Sequence, residues 1–125
     1  MPIIVPGSWL NPDTKPAWSA FTSAGRFAIP LEGGRFETHH HDEEELWFII
    51  EGKAKILVEG TEQYVQSGDI VLTERGDTHD FVEVYEPVRG FFTTAGLQDG
   101  ASAGHLDGVA HDVPAAPLPH DFPLR

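Results

Sequence analysis

Between Gly33 and Thr94 the chain is cut at short intervals by glycine, proline and acidic residues, and the runs between the cuts are rich in β-branched and aromatic side chains. Turn signals fall at Glu32-Gly33, Glu51-Gly52, Glu59-Gly60, Gln66-Ser67-Gly68, Arg75-Gly76 and Glu86-Pro87. The intervening runs predict strands over residues 27–30, 34–41, 45–50, 54–59, 62–65, 70–73, 78–85 and 88–94. Many short strands at this spacing fold as an antiparallel sandwich or barrel. No segment in this span carries a helical period with caps. The chain is expected to be all-β.

A length of 125 residues suits one domain with one packed core. The expected barrel core covers about residues 20–95, preceded by an arm over 1–19 and followed by a tail over 96–125. In the arm, Trp9 and Trp18 are interleaved with four prolines, followed by Phe21, which suggests an extended segment laid against the barrel or a second subunit. The tail is rich in glycine, alanine and proline and is expected to resist regular structure, although Leu106, Val109, Val113, Leu118 and Phe122 suit an arm packed across a surface. Exposed barrel edges are usually paired or covered, so a homodimer is expected.

A net charge of −12 argues against nucleic acid and anionic membrane as partners. No apolar run approaches the ~20 residues needed to cross a bilayer, and the first residues lack the features of a signal peptide, so a cytoplasmic location is the default expectation. With no cysteine, disulfides, thiolate ligands and thiol nucleophiles are excluded.

Chemistry concentrates in two stretches. His39 and His41 lie two apart, so on a strand their imidazoles leave one face. Glu45 follows an acidic bend, Asp42-Glu43-Glu44, whose charges solvation explains, and a hairpin there returns its carboxylate beside the imidazoles. His79 follows Gly68 by eleven positions in a second hairpin of similar layout. Neutral imidazoles with one carboxylate suit a divalent transition metal: zinc, iron, manganese, nickel or copper. His40 points to the opposite face from His39 and His41.

The spacing Gly33-x5-His39-x-His41-x3-Glu45-x6-Gly52 resembles the first motif of the cupin superfamily, with every fixed position filled. The stretch from Gly68 to Glu83 resembles the second motif at Gly68, Gly76 and His79, and departs from it at Glu74 and Glu83, where the family usually has proline and asparagine. The wording around these motifs is similar to small stand-alone cupins of the phosphomannose-isomerase-like group. The resemblance implies an antiparallel double-stranded β-helix, a jelly-roll barrel, with one metal held inside by His39, His41, Glu45 and His79.

Counting along the second stretch, His79, Phe81 and Glu83 share one face, which aims Glu83 into the barrel as a catalytic group or as half of an internal salt bridge. Glu37 shares the face of His39 and is the other candidate base. Trp47 and Phe81 are expected to face inward, as core or as the apolar wall of a ligand pocket. Glu74 starts a turn and is expected to be solvated.

The reading that follows is a metal-dependent enzyme acting on a small oxygen-rich metabolite chelated to the metal, of isomerase, epimerase, lyase or cyclase type. The alternatives are a cupin dioxygenase using iron, copper or nickel, and a non-catalytic protein that binds or senses a small ligand.

Overall fold

The computed structural model describes residues 3–5, 7, 9–31, 35–40, 43–95 and 106–125, the stretches 35–40 and 106–111 by backbone alone. Its strands are β1 (Phe21–Ile29), β2 (Arg35–His40), β3 (Glu44–Val58), β4 (Thr61–Gln66), β5 (Ile70–Thr73), β6 (His79–Ala95) and β7 (Leu106–Asp112). Among the described residues all strand pairs are antiparallel. No helix among them is long and apolar enough to cross a membrane.

Two strands are much longer than the turn signals suggested. The runs on either side of Glu51-Gly52 join into β3, and those on either side of Glu86-Pro87 join into β6. The expected turns are instead facing irregularities, where the register between β3 and β6 shifts at Ile49/Glu51, Glu51/Lys53 and Lys53/Ala54. Gly52 supplies the left-handed backbone needed there, with φ of +102°. Its missing side chain also lets the carbonyl of Pro87 approach, since an added Cβ would stand 2.2 Å from that oxygen. A proline inside a strand is tolerated at such a bulge, where no ladder donor is needed. The tightest hairpin is Glu59-Gly60 between β3 and β4, both with positive φ (47° and 78°), as expected of a turn that matches strand twist.

One turn design is used twice. At Gln66–Asp69 the Asp69 carboxylate accepts from the Gln66 amide (2.9 Å), and at Glu74–Asp77 the Asp77 carboxylate accepts from the Glu74 amide (2.9 Å). Backbone bonds from Asp69 N to Gln66 O and from Asp77 N to Glu74 O close both turns. Glu74 is exposed at the start of its turn.

The flanks take part in the fold. Leu10 pairs with Ala24, which lays the arm along the edge of β1. The tail holds a strand that its composition did not announce: β7 pairs with β2, with Val109 opposite Thr38 and Leu106 opposite His40. Edge pairing supplies the order that glycine and alanine do not. Beyond β7, the amide of Val84 donates to Pro114 O, that of Ala116 donates to Val84 O, and Val113 joins the core of Ile29, Trp47, Ile49, Ala54, Ile56, Val65, Phe81, Val84 and Val88. Phe122 is buried against Tyr64 and Tyr85, and the Tyr64 hydroxyl donates to Asp121 (3.0 Å).

This tail contact predicts a pH dependence. Burial first, then the adjacent Glu83 carboxylate, pushes the Tyr85 phenol well above its ordinary range. Burial and the Asp121 contact raise Tyr64, and the hydrogen bond to Glu83 raises Lys55. The native state therefore holds these protons more tightly than the unfolded chain, whose tyrosines ionise near pH ~10. Their contribution to stability is complete below that pH and is lost as pH rises through the native values. Urea midpoints measured from pH 9 to 11 are expected to fall, and to fall less steeply in Tyr85→Phe. Separately, Gly52→Ala is expected to destabilise by more than about 2 kcal/mol in the same assay.

Candidate metal centre

The inner face of the barrel is apolar at one end and polar at the other. The buried polar residues Thr22, Glu43, Glu45, Thr73, His79 and Thr94 contrast with the aliphatic core. Among them Glu45 and His79 meet, with Oε1 and Nε2 2.7 Å apart and both side chains at most 4% exposed. They are not ladder neighbours. Glu45 stands opposite Thr94 and His79 opposite Val58, near the two ends of the β3–β6 pairing. The bend at Gly52 and Pro87 folds the ladder over, and β5 with its following turn carries the chain from Thr73, the partner of Glu45, to His79.

Each group is aimed by a second contact. His79 Nδ1 lies 3.0 Å from the carbonyl oxygen of Asp77, an acceptor, so Nδ1 carries the proton. In the neutral ring Nε2 then presents its lone pair to a carboxylate oxygen. At this separation the ring nitrogen and the carboxylate oxygen can share a proton or can both face a cation. Metal–nitrogen and metal–oxygen bonds of about 2.0–2.2 Å put neighbouring ligand atoms about 3 Å apart, so this pair fits a divalent metal. The Trp47 indole N–H donates to Glu45 Oε1 (2.9 Å), fixing the carboxylate. Trp47 in turn stacks on Phe81 (5.0 Å between centroids, 13° between planes) and meets the His79 ring edge-on at 5.2 Å. Phe27 completes the aromatic wall, 5.8 Å from Trp47 and 5.9 Å from Phe81.

Of the other two ligands that the spacing suggested, residue 39 is the Cα partner of residue 79 across β2 and β6, which sets the two strands side by side at the site. The side chain of His39 and all of His41 lie outside the described residues, as does the side chain of Glu37. Among the described residues no group of three or more metal-binding side chains converges.

Glu83 is not where strand alternation put it. Ile56 pairs with Phe81 and the next residue, Lys55, pairs with Glu83, so Val82 is an extra residue in β6. The bulge reverses the alternation: Val84 enters the core and Glu83 turns to the outer face, accepting from the Tyr85 hydroxyl (3.2 Å) and pairing with Lys55 (3.3 Å). The salt bridge is made, with a lysine and on the other side of the sheet. The inward carboxylate is Glu43. Although it belongs to the acidic bend expected to be solvated, it is 3% exposed and accepts from the Thr22 hydroxyl. Thr22 also contacts the Thr94 hydroxyl at 2.7 Å, and Ser23 reaches the same hydroxyl. The available signal was its even spacing from Glu45 and Trp47.

The family model described as cupin domain matches residues 26–93, more than half of the chain. The chain belongs to the cupin family. Its barrel is accordingly a double-stranded β-helix. An uncharacterized protein of Sinorhizobium fredii, y4oW, is 37% identical to this cupin over 71 residues, which cover 57% of the chain and 33% of that relative. The chain thus spans about a third of the curated relative it matches. Among solved structures, the DMSP lyase DddQ of Ruegeria pomeroyi superposes with a TM-score of 0.57 at 27% identity, over 68% of this chain and 43% of that one. A predicted oxalate decarboxylase from Thermotoga maritima gives a TM-score of 0.56 at 20% identity, over 62% and 69% respectively, and speaks to the fold alone.

Because the indole holds Glu45 from behind, Trp47→Phe keeps the aromatic stack and removes only the donor. The substitution is expected to weaken Zn(II) binding about tenfold in calorimetric titration and to cost about 1 kcal/mol of stability. Unchanged affinity would show that the indole does not position the carboxylate.

Proposed function

We propose that this cupin is a metal-dependent enzyme acting on a small oxygen-rich substrate by lyase or isomerase-type chemistry. The observation that carries the reading is the buried Glu45–His79 pair, aimed at one point by Trp47 and Asp77. With His39 and His41 these two residues would hold a divalent metal, which when bound acts as a Lewis acid towards substrate oxygens. The stacked Trp47 and Phe81 rings belong to the buried core and shield this pair from water on one side.

Proton transfer in such chemistry needs a base on the inner face. Glu83 faces outward, and Glu43, held by Thr22, is the carboxylate that fits the role. Lyase chemistry is also the activity named for one structural relative, the DMSP lyase DddQ of Ruegeria pomeroyi.

The test joins metal analysis by mass spectrometry to lyase and decarboxylase assays on small carboxylates. Glu45→Gln and His79→Ala are expected to lose both metal and turnover. Glu43→Gln is expected to keep the metal and lose about 10²–10⁴ in rate, while Glu83→Gln leaves both unchanged. Turnover that persists after the metal is stripped would overturn the reading. Ligand binding without turnover in any form would replace it with a binding protein.

A further inference from the structure

The bend shared by β3 and β6 leaves a seam on the far side of β3. Because β6 takes one edge of β3, β4 and β5 share the other, β4 beside residues 53–58 and β5 beside residues 45–48. Once the ladder folds over, these two edge strands belong to different halves of the barrel, and among the described residues each pairs with β3 alone. A cleft of about 280 Å³ opens between them. Its floor is apolar, formed by Ile56 and Val58 of β3, Val65 of β4 and Val71 of β5. Ile56 and Val65 are core residues, with Val58 and Val71 packed against that core. Protein interiors leave few voids larger than a water molecule, and the seam stays open because valine side chains are too short to span it.

The floor backs onto the metal centre. Along the ladders Ile56 stands opposite Phe81, Val58 opposite His79 and Val71 opposite Trp47. Such partners hold their Cβ atoms about 5 Å apart on one face. The cleft and the centre therefore share a wall, while Glu45 and His79 are not among the residues that line the cleft.

At the mouth, the polar capacity still open is that of a donor. Asp69 already accepts from the Gln66 amide (2.9 Å) and from the Arg125 guanidinium (2.6 Å). Arg125 makes that contact through one terminal nitrogen, and a guanidinium carries five N–H donors in a planar fork that suits a carboxylate. The tail fixes its place: the Gln66 side-chain amide donates to Pro123 O (2.7 Å), and Phe122 is buried against Tyr64 and Tyr85. The Arg125 side chain is 55% exposed, so its free donors face the opening. A net charge of −12 disfavours anions at large, so a head group here must be recognised by direct contact.

We infer that this cleft binds a small monocarboxylate with an apolar body, the carboxylate on Arg125 and the body against Val58, Val65 and Val71. A cavity of ~150 Å³ holds benzene, so this volume accommodates on the order of ten non-hydrogen atoms. The site needs neither a metal nor turnover, and it is separate from the centre that holds Glu45 and His79.

The test titrates hexanoate and benzoate into the full chain, followed by methyl and indole NMR signals, with hexanol and hexylamine as controls. Both carboxylates are expected to give saturable shifts at the methyls of Ile56, Val58, Val65 and Val71 and at the Trp47 indole, with Kd about 1 mM. Arg125→Gln, at an exposed position, is expected to weaken both carboxylates about tenfold and to leave hexanol, the weaker ligand, unchanged. Val71→Phe fills the cleft and is expected to abolish binding; should that variant not fold, Arg125→Gln decides alone. Glu45→Gln alters the metal centre and is expected to leave the shifts at the cleft in place. Absence of saturation by about 10 mM overturns the inference. So does hexylamine binding as tightly as hexanoate, or undiminished carboxylate binding in Arg125→Gln. Shifts that vanish in Glu45→Gln would put the carboxylate on the metal centre and overturn it as well.

Discussion

The bend shared by β3 and β6 is the constraint on which the rest of the molecule depends. A flat ladder of that length would hold Glu45 and His79 near opposite ends, since their partners are Thr94 and Val58. Folding the ladder at Gly52 and Pro87 turns a long two-stranded ribbon into a double-stranded β-helix and brings those two side chains within 2.7 Å. The bend depends on a backbone contact that only glycine permits. The same event that closes the core assembles the site.

Closure also sorts the interior. The aliphatic residues Ile29, Ile49, Ile56, Val84 and Val88 fill one part, while Thr22, Glu43, Thr73 and Thr94 gather near Glu45 and His79. Buried polar groups are costly unless hydrogen-bonded, and here the partners are hydroxyl to carboxylate, hydroxyl to hydroxyl, and Thr73 to the Glu45 carbonyl. Trp47 stands at the boundary, its ring in the apolar stack and its N–H on the carboxylate.

Fold class, the position of β5 and the turns after β3, β4 and β5 were legible in the sequence, because glycine at positive φ and acidic turn residues leave a local mark. The β3 and β6 bends were misread as turns, since Gly52 and Pro87 look like turn residues until their mutual contact is known. Glu83 was placed on the wrong face for a related reason. Alternation is a safe guide only while register holds, and the extra residue Val82 reverses it. Strand β7 lacks strong β-formers in part of its length and owes its order to the edge of β2, a tertiary effect absent from local composition. Glu43 sits among acidic neighbours that solvation explains, and only its even spacing from Glu45 marks it as inward.

The wide separation of Glu45 and His79 along the ladder has a kinetic side. Pairings such as Phe21 with Ala95 and Glu44 with Ala95 join distant parts of the chain, and barrels built from such contacts fold slowly because loop closure comes before any gain from packing. His79 reaches Glu45 only once the ribbon has folded over. A metal held by this pair would thus be poorly placed to nucleate the barrel and well placed to latch it. Its binding would slow unfolding far more than it would speed folding.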